Sequence, residues 1–433
     1  MDRAFRPAQI GFGSPPEHVR AREAFRQGRF SVVFLGAVPR AVALGALEAV
    51  CGGAGGGARV DAKFTGWDAL ADCPAGRDRI CDVCNYLYQT RQRGSDLLVF
   101  SELHQAPADL WEFIYERPRV RIAWLAEELG GCRDRAELEL WRQGSAALAN
   151  LEKIGNAGLW PHVVLPVTGA NVKVLPDLVL ALLEATRGGS IEVRPAGLMP
   201  RRLSRGDVPD RGDGGGAFPL TPTLSPGERE RQRLSGLNRD DTNPASVEDY
   251  VGALMEIYRN PRIPLRLVSP LSWVAARVGS QGALVSSAAS VGAEAAVLPN
   301  GDLCAGEEAV GLERWRLGNV LEDAANIRWE RLDVMAEAFS NALLPDECKQ
   351  CDWRYRCGGV DACVMLSDER DGPSNGRAGR FEFYCAPRKR LFEELVWDSA
   401  EQAALGRTQG PRERIELRED GIDFEPVKNE QPA

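Results

Sequence analysis

The chain has 433 residues, of which 44% are hydrophobic and 27% charged, and its formal net charge is −9 at pH 7. This composition is typical of a globular protein with about two or three domains. The acidic excess argues against a nucleic-acid surface, which would need clustered Lys and Arg. Residues 1–13 lack the apolar core of a secretory peptide, and no apolar run reaches the roughly 18 residues of a membrane span, so we expect a cytoplasmic protein.

The first 200 residues alternate between strand and helix patterns. Buried-strand patterns predict six strands, at 30–38, 59–65, 97–100, 120–125, 160–168 and 191–193. Helical patterns occur at 41–50, 106–116 and 176–186. A further helical stretch is expected to end at Gly155 and Gly158. Strands and helices that alternate at this spacing predict an α/β domain with a parallel sheet and right-handed crossovers.

The composition changes after this domain. Residues 201–245 are rich in Gly, Pro and charge and lack periodicity, which predicts a disordered insertion. We expect a connecting helical segment at 246–300, a small Cys-rich domain at 301–397 and a polar tail at 398–433.

The residues able to bind metal are mostly cysteines. The chain has eleven cysteines but only three histidines, His18, His104 and His162. So few histidines exclude a His-rich metal site and leave little room for a Ser–His–Asp triad. Because structural disulfides are rare in the cytoplasm, the number of cysteines indicates metal binding.

Five cysteines lie close together in the C-terminal part of the chain, in a C-x2-C-x5-C-x5-C pattern followed by a distant cysteine: Cys348, Cys351, Cys357, Cys363 and Cys385. Two intervening residues let the first two thiolates face one metal centre, and later cysteines can complete four-thiolate coordination. A tetrahedral zinc site and a [4Fe–4S] cluster both fit this spacing. A zinc ribbon has two C-x2-C pairs and this chain has one here, which favours at least one [4Fe–4S] cluster.

Three segments around these cysteines carry a resemblance to a known family. They are 348–359 (CKQCDWRYRCGG), 300–304 (NGDLC) with 316–320 (RLGNV), and 384–392 (YCAPRKRLF). Together they resemble the SPASM domain of radical-SAM peptide-modifying enzymes. The preceding region resembles the later strands of a radical-SAM barrel, best over 142–158 and 163–182. The resemblance implies a degenerate radical-SAM-like partial (β/α) barrel, followed by a small SPASM iron–sulfur domain.

The family pattern has seven cysteines that hold two auxiliary [4Fe–4S] clusters. For one cluster the resemblance implies a complete set of ligands: Cys348, Cys351, Cys357 and Cys385. For the other it implies Cys304 and Cys363, but their spacings differ from the family pattern. Serines occupy the region of the upstream cysteine, at Ser286, Ser287 and Ser290. One cluster site is therefore expected to be intact and the other eroded.

The catalytic cluster of radical-SAM enzymes is bound by C-x3-C-x2-C after the first strand, but residues 39–45 contain no cysteine. The family's Gly-Gly-Glu is replaced by Thr-Gly-Trp-Asp at 65–68. Binding of S-adenosylmethionine is therefore doubtful. The competing interpretation is Cys73, Cys81 and Cys84, a C-x7-C-x2-C loop that could form a radical-SAM site, a zinc site or no site at all.

Three functions remain open, and the sequence leaves undecided whether the chain is an enzyme. The first is a non-catalytic or divergent member of a peptide-maturation system, which carries one cluster and binds a peptide substrate or a complete radical-SAM partner enzyme. The second is an active radical-SAM maturase that uses Cys73, Cys81 and Cys84. The third is a zinc-binding α/β protein.

Overall fold

The computed structural model describes residues 29–53, 59–65, 70, 74–90, 95–101, 103, 113–114, 116–117, 119–196, 245–279, 294–322, 326–338, 345–357, 366 and 377–404. Apart from residue 245, the predicted insertion at 201–245 lies outside these residues. So do several residues singled out from the sequence: His18, Cys73, His104, Cys363 and the three serines at 286, 287 and 290.

The described residues form one ten-stranded sheet. In chain order the strands are β1 Arg29–Leu35, β2 Arg59–Thr65, β3 Leu97–Phe100, β4 Val120–Leu125, β5 His162–Val167, β6 Ser190–Pro195, β7 Val268–Ser269, β8 Glu294–Val297, β9 Asp302–Cys304 and β10 Arg316–Asn319. Their spatial order is β10-β9-β8-β1-β2-β3-β4-β5-β6-β7. In this order, all neighbouring strands from β8 through β1 to β7 pair in parallel. Strand β9 pairs antiparallel with β8 and with β10. The predicted α/β class with a mainly parallel sheet is confirmed.

The helices described are α1 Arg40–Gly53, α2 Pro74–Gln89, α3 Arg135–Gly144, α4 Ala146–Asn156, α5 Leu175–Thr186, α6 Val247–Arg259, α7 Leu271–Gly279, α8 Glu330–Glu337, α9 Asp346–Lys349, α10 Arg354–Cys357 and α11 Arg377–Ala404. Side-chain caps begin several of them, as when Ser145 Oγ accepts from the amide of Leu148 at the start of α4. Among the described helices, none is both long and apolar enough to cross a membrane.

Gly155 does not end a helix as the sequence suggested, but lies inside α4. A Cβ atom at this position would lie 2.5 Å from the carbonyl oxygen of Ala185 on α5, so only glycine lets the two helices approach so closely. Gly158, with φ +72°, lies just beyond the helix and takes the left-handed conformation that follows many helix ends.

The two faces of the parallel sheet differ in polarity. One face is apolar and fully buried, with Phe34 and Phe64 in contact at 4.9 Å between ring centroids. The other face carries Lys63 on β2 and Arg194 on β6. Burial lowers the pKa of Lys63, but Glu307, which pairs with it at 3.1 Å, and Glu294 raise it more strongly, so it ends above its ordinary value.

The region 246–300 does more than connect two domains, because it supplies strands β7 and β8, and β8 pairs directly with β1. Helices α6 and α7 of this region pack against α11. Helix α11 continues to Ala404, past residue 398 where the polar tail was expected to begin. Asp398 is held there by a hydrogen bond from the hydroxyl of Tyr258.

Candidate metal centre

The segment that carries the first three C-terminal cysteines is a succession of tight turns. The amide of Cys348 donates to the carbonyl of Pro345 at 3.0 Å, and the amide of Cys351 donates to the carbonyl of Cys348 at 3.2 Å. The amide of Cys357 donates to the carbonyl of Trp353 at 2.7 Å. Cys348 is buried and the other two cysteines are half-buried. The C-x2-C pair therefore spans a single turn that brings both residues to one region.

Helix α11 supplies the fourth cysteine, Cys385. Trp353, which lies between Cys351 and Cys357 in the chain, stacks on Phe392 with ring centroids 5.2 Å apart and an interplanar angle of 10°. Phe392 is fully buried and follows Cys385 by seven residues, which is about two helical turns. This stacking docks the turn segment on the face of α11 that carries Cys385.

The pKa values of the thiols show that all four cysteines share one region. Burial and, to smaller extents in this order, the nearby Cys385, Cys357 and Cys351 together raise the pKa of Cys348 to about 12. Burial also raises the pKa of Cys385 to about 11, with contributions from Cys351 and Cys357. The structure thus brings together the four cysteines that the sequence assigned to one cluster. Without metal the thiols of Cys348 and Cys385 stay protonated at neutral pH, and metal binding would have to deprotonate them.

Two basic residues of α11 lie beside these thiols. The charge of Lys389 partly offsets the rise in the pKa of both Cys348 and Cys385, and the charge of Arg388 does so for Cys385. Arg388 is fixed in place because it donates to the carbonyl of Tyr384 at 2.8 Å and lies 5.0 Å from the ring centroid of Trp273. Positive charge beside the thiols favours the thiolate form that binds metal.

A zinc site and a [4Fe–4S] cluster need different spacings between their thiolates. Within the described ranges, no three His, Cys, Asp or Glu side chains are grouped so as to hold one metal ion. Thiolates around one tetrahedral zinc ion lie about 3.8 Å apart, given Zn–S bonds of about 2.3 Å. In a [4Fe–4S] cluster each thiolate binds a different iron, so the four sulfurs are more widely spaced.

Cys304 lies apart from this group, buried on β9 at 4% exposure. Burial raises its pKa to about 12, and the charges that affect it come from Asp302, Arg316 and Glu313 rather than from other cysteines. Cys363, its expected partner in a second cluster, is outside the described residues. The structure therefore does not join Cys304 to the four-cysteine group, and the second cluster site stays a prediction.

The motif residues around Cys304 have a structural role in the hairpin of β9 and β10. Arg316 binds Asp302 Oδ1 through Nε at 3.0 Å and Nη2 at 2.6 Å, and Asn319 Nδ2 donates to the same oxygen at 2.9 Å. Gly301 has φ +86°, and a Cβ atom there would lie 2.8 Å from Asn319 Oδ1. The Asn-Gly-Asp and Arg-Leu-Gly-Asn motifs thus close a hairpin around one buried carboxylate.

Two of the three N-terminal cysteines, Cys81 and Cys84, are not on a loop as the sequence suggested. Cys81 and Cys84 lie inside helix α2, whose buried face carries Ile80, Val83 and Leu87 at helical spacing. Burial and, to a smaller extent, Cys81 raise the pKa of Cys84 to about 11, although the charge of Arg117 acts in the opposite direction. Cys73 is outside the described residues, so the predicted three-cysteine site stays untested.

One group of side chains on the polar face of the sheet had no signal in the sequence. His162 on β5 lies 2.9 Å from Ser190 Oγ through Nδ1 and 3.4 Å from Glu192 Oε2 through Nε2. Burial raises the pKa of Glu192, but Arg194 and His162 lower it more strongly, so it ends well below its ordinary value. The amides of Gly189 and Ser190 already donate to carbonyls. This Ser–His–Glu arrangement lacks oxyanion donors from those amides and links β5 to β6.

Comparison with known proteins gives similarity only at the level of solved structures. No protein-family model matches the chain, and no curated protein matches it. The chain is similar to SuiB of Streptococcus suis at 9% identity and a TM-score of 0.41, over 79% of this chain and 76% of that one. SuiB bound to S-adenosylmethionine matches at 10% identity and a TM-score of 0.42, over 78% and 72% of the two chains. SuiB bound to its precursor peptide SuiA matches at 10% and 0.42, over 78% and 73%.

Proposed function

We propose that this chain is an iron–sulfur protein that binds one [4Fe–4S] cluster through four C-terminal cysteines: Cys348, Cys351, Cys357 and Cys385. We further propose that it belongs to a radical-SAM peptide-maturation system as a non-catalytic or divergent member. In that role it binds a peptide or a catalytically complete radical-SAM enzyme, and its cluster is structural or relays electrons.

The observation that carries the proposal is the convergence of four cysteines from two separate segments, one of them buried and three half-buried. Burial and mutual proximity raise the pKa of Cys348 to about 12, so its thiol stays neutral until metal binding displaces the proton. A cluster is favoured over zinc because this segment has one C-x2-C pair, where a zinc ribbon has two. Lys389 and Arg388 offset the negative charge that four thiolates would bring.

The link to peptide maturation rests on the SPASM-like motifs at 300–304, 316–320, 348–359 and 384–392. The non-catalytic role rests on the lack of cysteines in the segment that follows β1. Residues 39–45 contain no cysteine, and α1 already begins at Arg40. No three-cysteine loop is therefore available there to leave one iron open for S-adenosylmethionine.

Two alternatives give different metal contents. An active radical-SAM maturase would bind a second cluster through Cys73, Cys81 and Cys84, although the position of Cys81 and Cys84 inside α2 disfavours an open loop. A zinc-binding α/β protein would bind zinc and no sulfide.

Anaerobic reconstitution with iron and sulfide distinguishes these functions by a count of iron, acid-labile sulfide and zinc per chain. We expect about four irons with sulfide and an absorption band from thiolate-to-iron charge transfer. About eight irons would support the maturase, and zinc without sulfide would overturn the iron–sulfur proposal. Co-purification with a short precursor peptide or a complete radical-SAM enzyme encoded nearby would test the partner.

A further inference from the structure

Lys389 occupies a distinct position on helix α11. It follows Cys385 by four residues, and side chains at this spacing lie next to each other on one helical face. Lys389 is half-buried and carries a charge that acts on both Cys348 and Cys385. Among the described residues it has no hydrogen bond or ion pair with a carboxylate. Its spacing from Cys385 places its side chain on the helical face that carries this thiol, and no described carboxylate pairs with it.

The neighbouring basic residue, Arg390, is placed differently. It is half-exposed and pairs with Glu394 at 2.5 Å and with Glu393 at 3.8 Å. One residue further along a helix is about 100° away around the axis, so Arg390 lies on another face than Lys389. The two residues have the same charge on the same helix, but only Lys389 lies beside Cys385.

We propose that Lys389 is a positioning residue for the C-terminal cluster. Its side chain holds a fixed positive charge beside Cys385 and Cys348 and thereby raises the cluster's reduction potential. This inference rests on the proposed function. Its physical basis is that four thiolates around the cluster carry net negative charge, and that uptake of one electron adds to it. A nearby cation stabilises the reduced form more than the oxidised form, and a half-buried cation is screened less by salt than an exposed one.

The test compares Lys389→Met with Lys389→Arg and Arg390→Met in full-length reconstituted protein. A potentiometric titration with a chemical reductant, followed by absorbance and by EPR of the reduced cluster, gives the reduction potential of each variant. For Lys389→Met we expect the equilibrium constant for reduction to fall at least tenfold. For a one-electron couple, a tenfold fall lowers the reduction potential by about 59 mV. Lys389→Arg, which keeps the charge, and Arg390→Met should stay close to the wild type.

Three results would overturn the inference. The first is an unchanged potential in Lys389→Met, and the second is an equal shift in Arg390→Met, which would indicate a general charge effect. The third is an equal loss in Lys389→Arg, which would indicate that shape rather than charge matters at this position. Iron content and circular dichroism separate a potential shift from misfolding, because a variant with full iron content has kept the site. A wild-type protein that binds no cluster would instead overturn the proposed function.

Discussion

Cys348 and Cys351 have the same C-x2-C spacing as Cys81 and Cys84, but their surroundings differ. The C-terminal pair begins a chain of tight turns and meets two further cysteines, one of them on another helix, with Lys389 close by. The N-terminal pair lies on consecutive turns of a single helix, and the cation that acts on Cys84 is Arg117. The same spacing therefore belongs to a four-thiol group in one region and to a helix surface in the other.

The comparison teaches that thiol spacing alone does not define a metal site. A site also needs ligands from separate segments and packing that holds those segments together. Trp353 stacked on Phe392 provides this packing in the C-terminal group. In the N-terminal group the third cysteine, Cys73, is outside the described residues. The predictions below test this contrast between the two groups.

The largest effect is expected from removal of two C-terminal ligands. Replacement of Cys351 and Cys357 together with Ala should reduce the reconstituted iron content from about four per chain to near zero. It should also destabilise the C-terminal region, because metal–thiolate bonds contribute directly to folding in small metal domains. Iron analysis and limited proteolysis measure the two effects.

The matched control is the double replacement of Cys81 and Cys84 with Ala. It removes the same number of thiols at the same type of spacing, and we expect unchanged iron content. Loss of iron in this control but not in the C-terminal variant would reverse the assignment of the two groups.

The second largest effect is expected from loss of the packing between the turn segment and helix α11. Phe392→Ala removes a fully buried ring and its stacking on Trp353, and should lower the free energy of unfolding by about 3–5 kcal/mol. It should also slow cluster assembly, because the turn segment loses its docking surface beside Cys385. Chemical denaturation and the time course of reconstitution measure the two effects. Leu140→Ala, at a side chain that is 70% exposed, should change stability by less than about 0.5 kcal/mol.

The hairpin around Cys304 should show a smaller, pH-dependent effect. Burial raises the pKa of Asp302, but Arg316 and Asn319 lower it more strongly, so its folded-state pKa is below the ordinary value. Its contribution to stability is complete above the unfolded-state pKa of about 3.9 and is lost as pH falls through the folded-state pKa. Asp302→Asn should cost about 1–3 kcal/mol at pH 7, and the difference from wild type should shrink below about pH 4.

The control for the hairpin is Asp346→Asn, whose carboxylate is 83% exposed and pairs with Lys349 at 3.0 Å. An exposed pair of this kind contributes little, so stability should hardly change. If denaturation midpoints give a cost for Asp302→Asn that stays constant down to pH 3, the ionised carboxylate is not what stabilises the hairpin.

No effect is expected in the last comparison. Reconstituted protein with S-adenosylmethionine and a strong reductant should form no 5′-deoxyadenosine above the level of Cys81→Ala. Reductive cleavage needs an open iron and residues that position the methionine end. In the proposed C-terminal cluster, four cysteine ligands would leave no iron open. Chromatographic detection of 5′-deoxyadenosine in wild type but not in the variant would make Cys73, Cys81 and Cys84 an active site.

Much of the parallel sheet could be predicted from the sequence, because its strands are short apolar runs with local signals. The predicted strands 59–65, 97–100 and 120–125 coincide with β2, β3 and β4. Strands β7 (Val-Ser) and β8 (Glu-Ala-Ala-Val) were missed, because neither is a run of large apolar residues and their pairing partners, β6 and β1, are distant in the chain. Helix α2 was missed although Ile80, Val83 and Leu87 mark its buried face, because its cysteines were interpreted as a loop.

The candidate site could be predicted in its ligands but not in its surroundings. The C-x2-C pattern is local, so Cys348, Cys351 and Cys357 stand out in the sequence. The stacking of Trp353 on Phe392 and the reach of Lys389 to Cys348 depend on how α11 packs, which no local pattern records. The same holds for His162, Ser190 and Glu192, which meet only because β5 and β6 are neighbours.

The most direct test of the central claim is the metal content of the wild-type protein purified anaerobically from cells, without reconstitution. Elemental analysis with a sulfide assay should give about four irons and about four sulfides per chain and negligible zinc. The same preparation of Cys351→Ala/Cys357→Ala should contain neither metal. One zinc per chain without sulfide in the wild type would contradict the account, and would make the four-cysteine group a structural zinc site.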